Sequence, residues 1–203
     1  MTLWSLIQSG GWVMVPLFAC SLAVCIIVAE RLLAYRNWEA KNEQFVMAFT
    51  NHWIKGESDK AKLLAEKSLV EVSEIARELV DAAQQGKTLN FAKVERKRQE
   101  LTLELKKFLW LLGTIGSAAP FIGLFGTVVG IIESFHNMSQ SGAGGFSVVA
   151  SGISQALVAT AGGIIVAVVA VFLYNYFLVR TSKLSFKLKL LTQELLELHG
   201  NKN

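Results

Sequence analysis

The distribution of charge along the chain constrains its fold more than any other feature of the sequence. All 20 lysines and arginines lie within residues 31–107 or 180–202, so residues 108–179 contain none. Of the 16 acidic residues, only Glu133 lies in that stretch. A soluble protein distributes charged side chains over its whole surface, because it has no apolar solvent from which charge must be excluded. The pattern therefore predicts a membrane protein.

Three apolar segments have the length of transmembrane helices, since about 20 residues cross a hydrocarbon core of about 30 Å. The first is 12–35, which we interpret as an uncleaved helix that follows an N-terminal segment, 1–11. The second and third, 108–135 and 146–179, are longer than the core requires, and the uncharged turn 136–145 joins them as a hairpin. We predict an all-α membrane protein whose long second and third helices extend into a cytoplasmic helical bundle.

The positive charges also predict the orientation, because lysine and arginine are retained on the cytoplasmic side of a membrane. We therefore predict a cytoplasmic helical domain at 36–107 and a cytoplasmic helical tail at 180–203. The N-terminus and the turn are then expected outside, in the periplasm. The basic residues are mixed with acids and form no patch interleaved with aromatic residues, so no nucleic-acid partner is expected.

The segment between the first two spans is polar, with apolar residues at helical spacing. Gly56 and Gly86 are the expected helix ends, since glycine adopts the left-handed conformation that often terminates a helix. Thr88 or Asn90 is the expected N-cap of the helix that follows. This helix, charged over residues 95–107, is expected to continue without a break into the second span.

The tail carries leucines at alternating spacings of four and three residues, the pattern of a short coiled-coil seam. Two interpretations stay open at this point. The seam contacts another subunit, or it packs on the cytoplasmic helices of its own chain. The leucines are Leu184, Leu188, Leu191, Leu195 and Leu198.

The second and third spans each carry a stripe of small residues. In lipid, helices associate through close packing rather than a hydrophobic driving force, so such stripes indicate helix contacts. The residues expected to pack are Gly116, Pro120, Gly123, Gly126 and Gly130 in the second span and Gly152, Ala156, Gly163 and Ala167 in the third.

Four polar residues in these spans are candidates for an ion pathway. Thr127 and Thr160 lie deep on the small-residue stripes, where each hydroxyl either bonds a carbonyl of its own helix or lines a polar path in an oligomer. Gln155 can donate and accept hydrogen bonds. Glu133 is the intramembrane carboxylate, which either forms an ion-entry pair with His136 or reaches headgroup water.

No motif for a catalytic reaction is present, so we predict that the chain is not an enzyme. The sequence contains no nucleophile elbow and no phosphate-binding loop. The histidines and the two cysteines lack the spacing of metal ligands, so neither a metal nor another cofactor is expected.

Two stretches of sequence resemble the ExbB/TolQ/MotA family of ion-driven motor subunits, most closely its ExbB and TolQ branch. The second span contains APFIGLFGTVVGI from Ala119 to Ile131. The third contains VASGISQALVATA from Val149 to Ala161, followed by Tyr174 and Asn175. The order of elements is similar over nearly the whole chain, whereas the cytoplasmic segment matches only in size and helical character.

The resemblance implies an inner-membrane channel and stator subunit. It implies a homopentamer around a pair of single-span helices from an ExbD-like or TolR-like partner, whose carboxylate takes up a proton or a sodium ion. Thr127 and Thr160 would line the channel. The complex would convert the ion-motive force into work on a TonB-like or TolA-like protein and energise outer-membrane transport. Alternatives are a TolQ-like Tol-Pal or gliding motor subunit and a non-conducting three-span scaffold.

The sequence departs from the family pattern at three positions. Gln155 stands where many members have glutamate, which removes a titrating acid from the third span. Ser151 stands where some members have proline, and Val169 stands where most do. Proline within a helix removes a backbone hydrogen bond, so its replacement at position 169 implies a straighter third helix.

Overall fold

The computed structural model describes residues 11–141 and 145–200, and the regular secondary structure of these residues is α-helical. Three of the described helices, α1, α6 and α7, contain segments long and apolar enough to cross a membrane. The predicted fold class, an all-α chain with three long apolar helices, is confirmed. The helices are α1 (Met14–Tyr35), α2 (Trp38–Ile54), α3 (Ser58–Lys67), α4 (Val72–Gln84), α5 (Phe91–Leu105), α6 (Leu109–Ser141) and α7 (Gly145–Gly200).

The chain divides into two compact units. One contains the described residues up to Arg31 together with Phe108–Phe177, and we call it the apolar unit. The other contains Leu32–Lys107 and the described residues from Leu178 onward, and we call it the polar unit. Helices α1 and α7 each contribute residues to both units.

In the apolar unit, α1 has one buried face and one exposed apolar face. Val13, Leu17 and Val24 are at most 4% exposed and recur at helical spacing. Phe18 and Leu22, between them, are more than half exposed. An apolar face of this kind suits a helix surrounded by lipid, where exposure of large apolar side chains costs nothing.

The polar unit has a conventional core of large side chains. Phe45, Phe49 and Trp53 follow one another at intervals of four on α2, and their rings stack with centroids 6.0 and 5.6 Å apart. The fully buried residues on α4 include Val72, Ile75, Ala76 and Val80. These apolar residues occupy one face of α4, so the helix packs by burial of that face.

Two polar side chains close the ends of helices in this unit. Asn42, which is fully buried, accepts a hydrogen bond from the Val72 amide at 3.1 Å and donates to the Glu71 carboxylate at 2.9 Å. Arg77 donates to the carbonyl oxygens of Ala65 and Glu66 at 2.7 and 3.0 Å. The last carbonyls of α3 lack partners within their own helix, and the guanidinium supplies one.

The predicted helix ends are confirmed at three positions. Gly56 and Gly86 have φ of +74° and +59°, in the left-handed region that favours glycine. The side chain of Asn90 accepts a hydrogen bond from the Lys93 amide at 3.1 Å and caps α5.

Two expectations about helix bounds were wrong. The helix over residues 95–107 does not continue into the second span, because α5 ends at Leu105 and Phe108 adopts a left-handed φ of +64° before α6 begins. Residues 136–141, expected in a turn, continue α6 to Ser141. Of the other predicted segments, residues 1–10 and 142–144 lie outside the described residues.

The leucine seam of the tail is buried within this chain. Leu184, Leu188 and Leu195 are at most 1% exposed, and Leu191 is 5% exposed. The Trp53 indole donates a hydrogen bond to the carbonyl oxygen of Leu198 at 3.2 Å. The leucine seam therefore packs on the helices of the polar unit in its own chain, which is one of the two interpretations that the sequence left open.

Candidate functional site

Helices α6 and α7 approach most closely where two glycines face each other. A Cβ atom on Gly163 would lie 2.6 Å from the carbonyl oxygen of Ala119 and 3.0 Å from the Cα of Gly123. A Cβ on Gly123 would lie 2.8 Å from the carbonyl oxygen of Ala159. Such distances are shorter than a carbon atom tolerates, so the two backbones touch only because both positions lack a side chain.

The close contact extends along both helices. A Cβ on Gly130 would lie 2.6 Å from the Cβ of Ala156, and one on Gly116 would lie 2.5 Å from a methyl of Val171. Ala167 is 6% exposed. Pro120 lies inside α6 without ending it.

Two further glycines of the stripes also lie in close contacts. A Cβ on Gly126 would lie 2.8 Å from the Cβ of Ala159 and 3.1 Å from Val13, so α6, α7 and the residue just before α1 meet there. A Cβ on Gly152 would lie only 1.9 Å from the hydroxyl of Ser134. The small residues of both helices therefore make room for backbone and for polar side chains.

The two threonine hydroxyls lie at this contact but have different partners. Thr160 of α7 donates to the carbonyl oxygen of Gly123 on α6 at 2.9 Å. Thr127 is 8% exposed and donates to the carbonyl oxygen of Leu124, on its own helix, at 2.7 Å. Thr160 therefore joins two helices, whereas Thr127 makes the local bond that is common for threonine in membrane helices.

Glu133 and Gln155 lie farther along the helices, on either side of one cavity. The cavity has a volume of about 140 Å³ and lies between α6, α7 and the residues just before α1. Ser134 and Asn137 also line it. His136, considered as a partner for Glu133, instead forms a hydrogen bond between its ring and the Gln140 amide at 3.1 Å.

Asn137 is one of the cavity residues that the sequence did not identify. It lies four residues after Glu133, a spacing that places two side chains on the same face of a helix. The same helical spacing could therefore have identified Asn137 as a neighbour of Glu133. The contribution of Trp12 to the cavity depends on the packing of α1, which no local pattern predicts.

The contact of α6 and α7 offers hydroxyls and carbonyls without an acid. The sequence of the apolar unit contains two carboxylates, Glu30 and Glu133. Glu30 forms a salt bridge with Arg31 at 2.5 Å. Glu133 lies six residues from Thr127, about 9 Å along the helix axis. The polar groups at this contact are therefore hydroxyls and backbone carbonyls, and none of them is a carboxylate.

A sequence profile described as the MotA/TolQ/ExbB proton channel family matches residues 64–189. Among curated relatives, the biopolymer transport protein ExbB of Neisseria gonorrhoeae is 31% identical, over 93% of this chain and 89% of that protein. The match confirms the family resemblance that the two stretches in the second and third spans predict.

Shorter matches have higher identity. The biopolymer transport protein ExbB of Pseudomonas putida is 52% identical over 67 residues, which are 33% of this chain and 20% of that protein. The protein of the same name from Salmonella typhimurium is 52% identical over 66 residues, which are 32% of this chain and 27% of that protein. The chain belongs to the MotA/TolQ/ExbB proton channel family, and its three long apolar helices make it a multi-pass membrane protein.

Proposed function

We propose that this protein is the channel and stator subunit of an inner-membrane complex that converts an ion-motive force into mechanical work. A single-span partner of the ExbD type supplies the carboxylate that takes up the ion. The complex acts on a TonB-like protein that energises transport across an outer membrane. The name of the relatives, biopolymer transport protein ExbB, supports this assignment over a Tol-type or gliding-type client.

One observation carries the proposal. Thr127 and Thr160 place two hydroxyls at the contact of α6 and α7, while the nearest carboxylate on α6, Glu133, lies about 9 Å along the axis. Hydroxyls can pass a proton along bound water because they both donate and accept hydrogen bonds, but they do not bind and release a proton near neutral pH as a carboxylate does. A carboxylate on a partner helix resolves this difficulty, because the hydroxyls can then orient water and the ion around it.

The positive charges support an inner-membrane location with the polar unit in the cytoplasm. The polar unit holds the lysines and arginines of residues 36–107 and 180–202, and residues 108–179 have none. Retention of positive charge on the inside supports a periplasmic position for the N-terminus and for the α6–α7 connection. The family resemblance supports five copies around a pair of partner helices.

The test of this function is the double variant Thr127→Val and Thr160→Val, reconstituted in vesicles with the partner protein. Valine keeps the shape of threonine and removes the hydroxyl, so packing is retained while the polar path is interrupted. We expect the rate of cation uptake to fall at least about tenfold, because a passing cation and its water lose two polar partners of about 1 kcal/mol each and about 1.36 kcal/mol corresponds to tenfold in rate. Native mass spectrometry of the same sample measures the assembly.

The matched control is Thr127→Ser with Thr160→Ser, which keeps both hydroxyls. Uptake in this control should stay within about twofold of the unmodified protein. Thr160→Val also removes the bond to Gly123, worth about 0.6–2 kcal/mol in membrane helices, so the assembly must be intact for the result to count. Full uptake by the double valine variant would show that the hydroxyls do not serve conduction, and a lack of uptake by the unmodified complex would favour the scaffold alternative.

A further inference from the structure

The cavity beside Glu133 has the size and the lining of a site for hydrated cations. Its volume of about 140 Å³ is enough for several water molecules, since about 10–15 Å³ admits one. Glu133, Ser134, Asn137 and Gln155 present a carboxylate, a hydroxyl and two amides to it. Oxygen ligands of these kinds suit hard cations and hydrated protons.

The electrostatics of the cavity favour cations over anions. Glu133 is the only charged side chain among the described residues that line it. The nearest lysine or arginine in the sequence on either side of Glu133 is Lys107 or Arg180. Glu133, Asn137 and Gln155 are exposed at this open pocket. A carboxylate there, with no neutralising base nearby in sequence, gives the pocket a negative potential.

The position of the cavity links the end of the helices to the threonines. Glu133 is 24 residues from the start of α6 at Leu109, about 36 Å along the axis, so it lies near the far boundary of a hydrocarbon core of about 30 Å. At the other end, the cavity is lined by Gly126, the residue next to Thr127. The cavity therefore extends along α6 from the membrane boundary to the level of the hydroxyls.

From these observations we infer that the cavity is a vestibule that collects a monovalent cation, a sodium ion or a hydrated proton, before the cation reaches Thr127 and Thr160. Glu133 supplies the charge, and Asn137 and Gln155 supply neutral oxygen ligands from α6 and α7. The third span has the neutral Gln155, so the charge of the vestibule comes from the second span. The inference rests on the proposed channel function and adds to it a site of cation entry.

The test is cation uptake by the reconstituted complex as a function of external cation concentration, at a fixed membrane potential. One series varies sodium at constant pH, and the other varies pH at constant sodium. A vestibule raises the local cation concentration, so Glu133→Gln should raise the half-saturating concentration about tenfold while the maximal rate stays within about twofold. The series that shows the shift identifies the cation. Inert salt should reduce the difference, because about 0.1 M screens charges beyond about 10 Å.

Two variants serve as matched controls. Glu133→Asp keeps the charge and should stay close to the unmodified protein. His136→Gln removes a titratable side chain from the same turn of α6, but this side chain bonds Gln140, so the variant should leave the half-saturating concentration unchanged.

Several results would overturn the vestibule. An unchanged half-saturating concentration in Glu133→Gln would do so, including the case in which only the maximal rate falls. An equal shift in His136→Gln would also do so, since the effect would not belong to the cavity. If the unmodified complex takes up neither cation, the channel function itself is wrong, and this result is distinct because it precedes any comparison of variants.

Discussion

The two units of the chain are stabilised by opposite arrangements of the same residue types. In the polar unit the core consists of large side chains, and Phe49 and Leu188 are at most 1% exposed. In the apolar unit the contact between α6 and α7 is made by glycine and alanine, while Phe121 and Phe172 are at least 70% exposed. Exposed phenylalanines and a core of small residues would destabilise a unit in water, but they are normal for a unit in lipid.

The difference follows from the solvent around each unit. In water, removing a large apolar side chain from the solvent stabilises a fold by about 1.5–3 kcal/mol. In lipid this driving force is absent, so helices gain from close backbone packing and from hydrogen bonds such as that of Thr160 to Gly123. The two units should therefore respond differently to substitutions of equal size.

The largest effect is expected from a cavity in the polar unit. Leu188→Ala removes a fully buried side chain and should cost about 3 kcal/mol, within the usual range of about 2–5 kcal/mol. For a chain of this length that lowers the midpoint of thermal unfolding by about 10 °C. The measurement is thermal unfolding of the purified protein in detergent, followed by circular dichroism.

Leu190→Ala is the matched control, because Leu190 lies on the same helix and is 43% exposed. It should lower the midpoint by no more than about 2 °C. Equal losses in the two variants would mean that the leucine seam is not the core of the polar unit.

A smaller effect is expected from adding one methyl group to the contact in the apolar unit. Gly163→Ala places a Cβ 2.6 Å from the carbonyl oxygen of Ala119, and the backbone of α6 must move to admit it. Overpacking of this kind costs about 1–3 kcal/mol. The measurement is the concentration of denaturing detergent at which the helical signal is half lost.

Gly162→Ala is the matched control, because Gly162 is the neighbour of Gly163 on α7. Its Cβ would meet nothing closer than the Met14 side chain at 3.6 Å, an ordinary contact. Because alanine favours helix over glycine by about 1 kcal/mol, this variant should be neutral or slightly stabilised. A loss in Gly162→Ala as large as that in Gly163→Ala would contradict the close contact of α6 and α7.

The smallest effect concerns an exposed charge cluster at the turn between α2 and α3. Glu57 accepts hydrogen bonds from Lys60 at 2.9 Å and contacts His52 at 2.7 Å, and these bonds lower the pKa of Glu57 from 4.5 to about 2. Because the folded pKa is the lower one, the stabilisation is present above pH 4.5 and is lost as the pH falls towards 2. Glu57→Gln should lower the unfolding midpoint at pH 7 by no more than about 2 °C.

This difference between Glu57→Gln and the unmodified protein should disappear between pH 4.5 and 2, in thermal scans of the full chain at stepped pH. Glu66→Gln, which removes an exposed acid from α3 without touching Lys60 or His52, is the control. A difference that persists at pH 2 would show that the carboxylate stabilises the turn by something other than its charge.

Much of the fold follows from local patterns in the sequence. The three apolar helices, the ends at Gly56 and Gly86 and the cap at Asn90 each depend on residues within one turn or one span, so the sequence predicts them. The break before Phe108 was missed because neither glycine nor proline stands there. The left-handed conformation of a phenylalanine is held by the surrounding structure rather than by its own preference.

The candidate site was predicted only in part, because local patterns do not identify contacts between helices. Small residues at helical spacing identify the faces that meet, but they do not tell which hydroxyl bonds which carbonyl. Thr127 and Thr160 have equivalent positions in the two stripes, yet only Thr160 bonds across the contact. The cavity at Glu133 requires three helices at once, and the spacing within any one of them does not predict a shared volume.

The left-handed Phe108 also creates an additional place where the chain can open. A single helix over residues 91–141 would fray only from its two outer ends. The break creates an additional C-terminus at Leu105 and an additional N-terminus at Leu109, and helix ends are where local unfolding begins. Amide hydrogens around residues 105–112 should therefore exchange with solvent deuterium ahead of those at the centres of α5 and α6, and the two helices should exchange as separate cooperative segments.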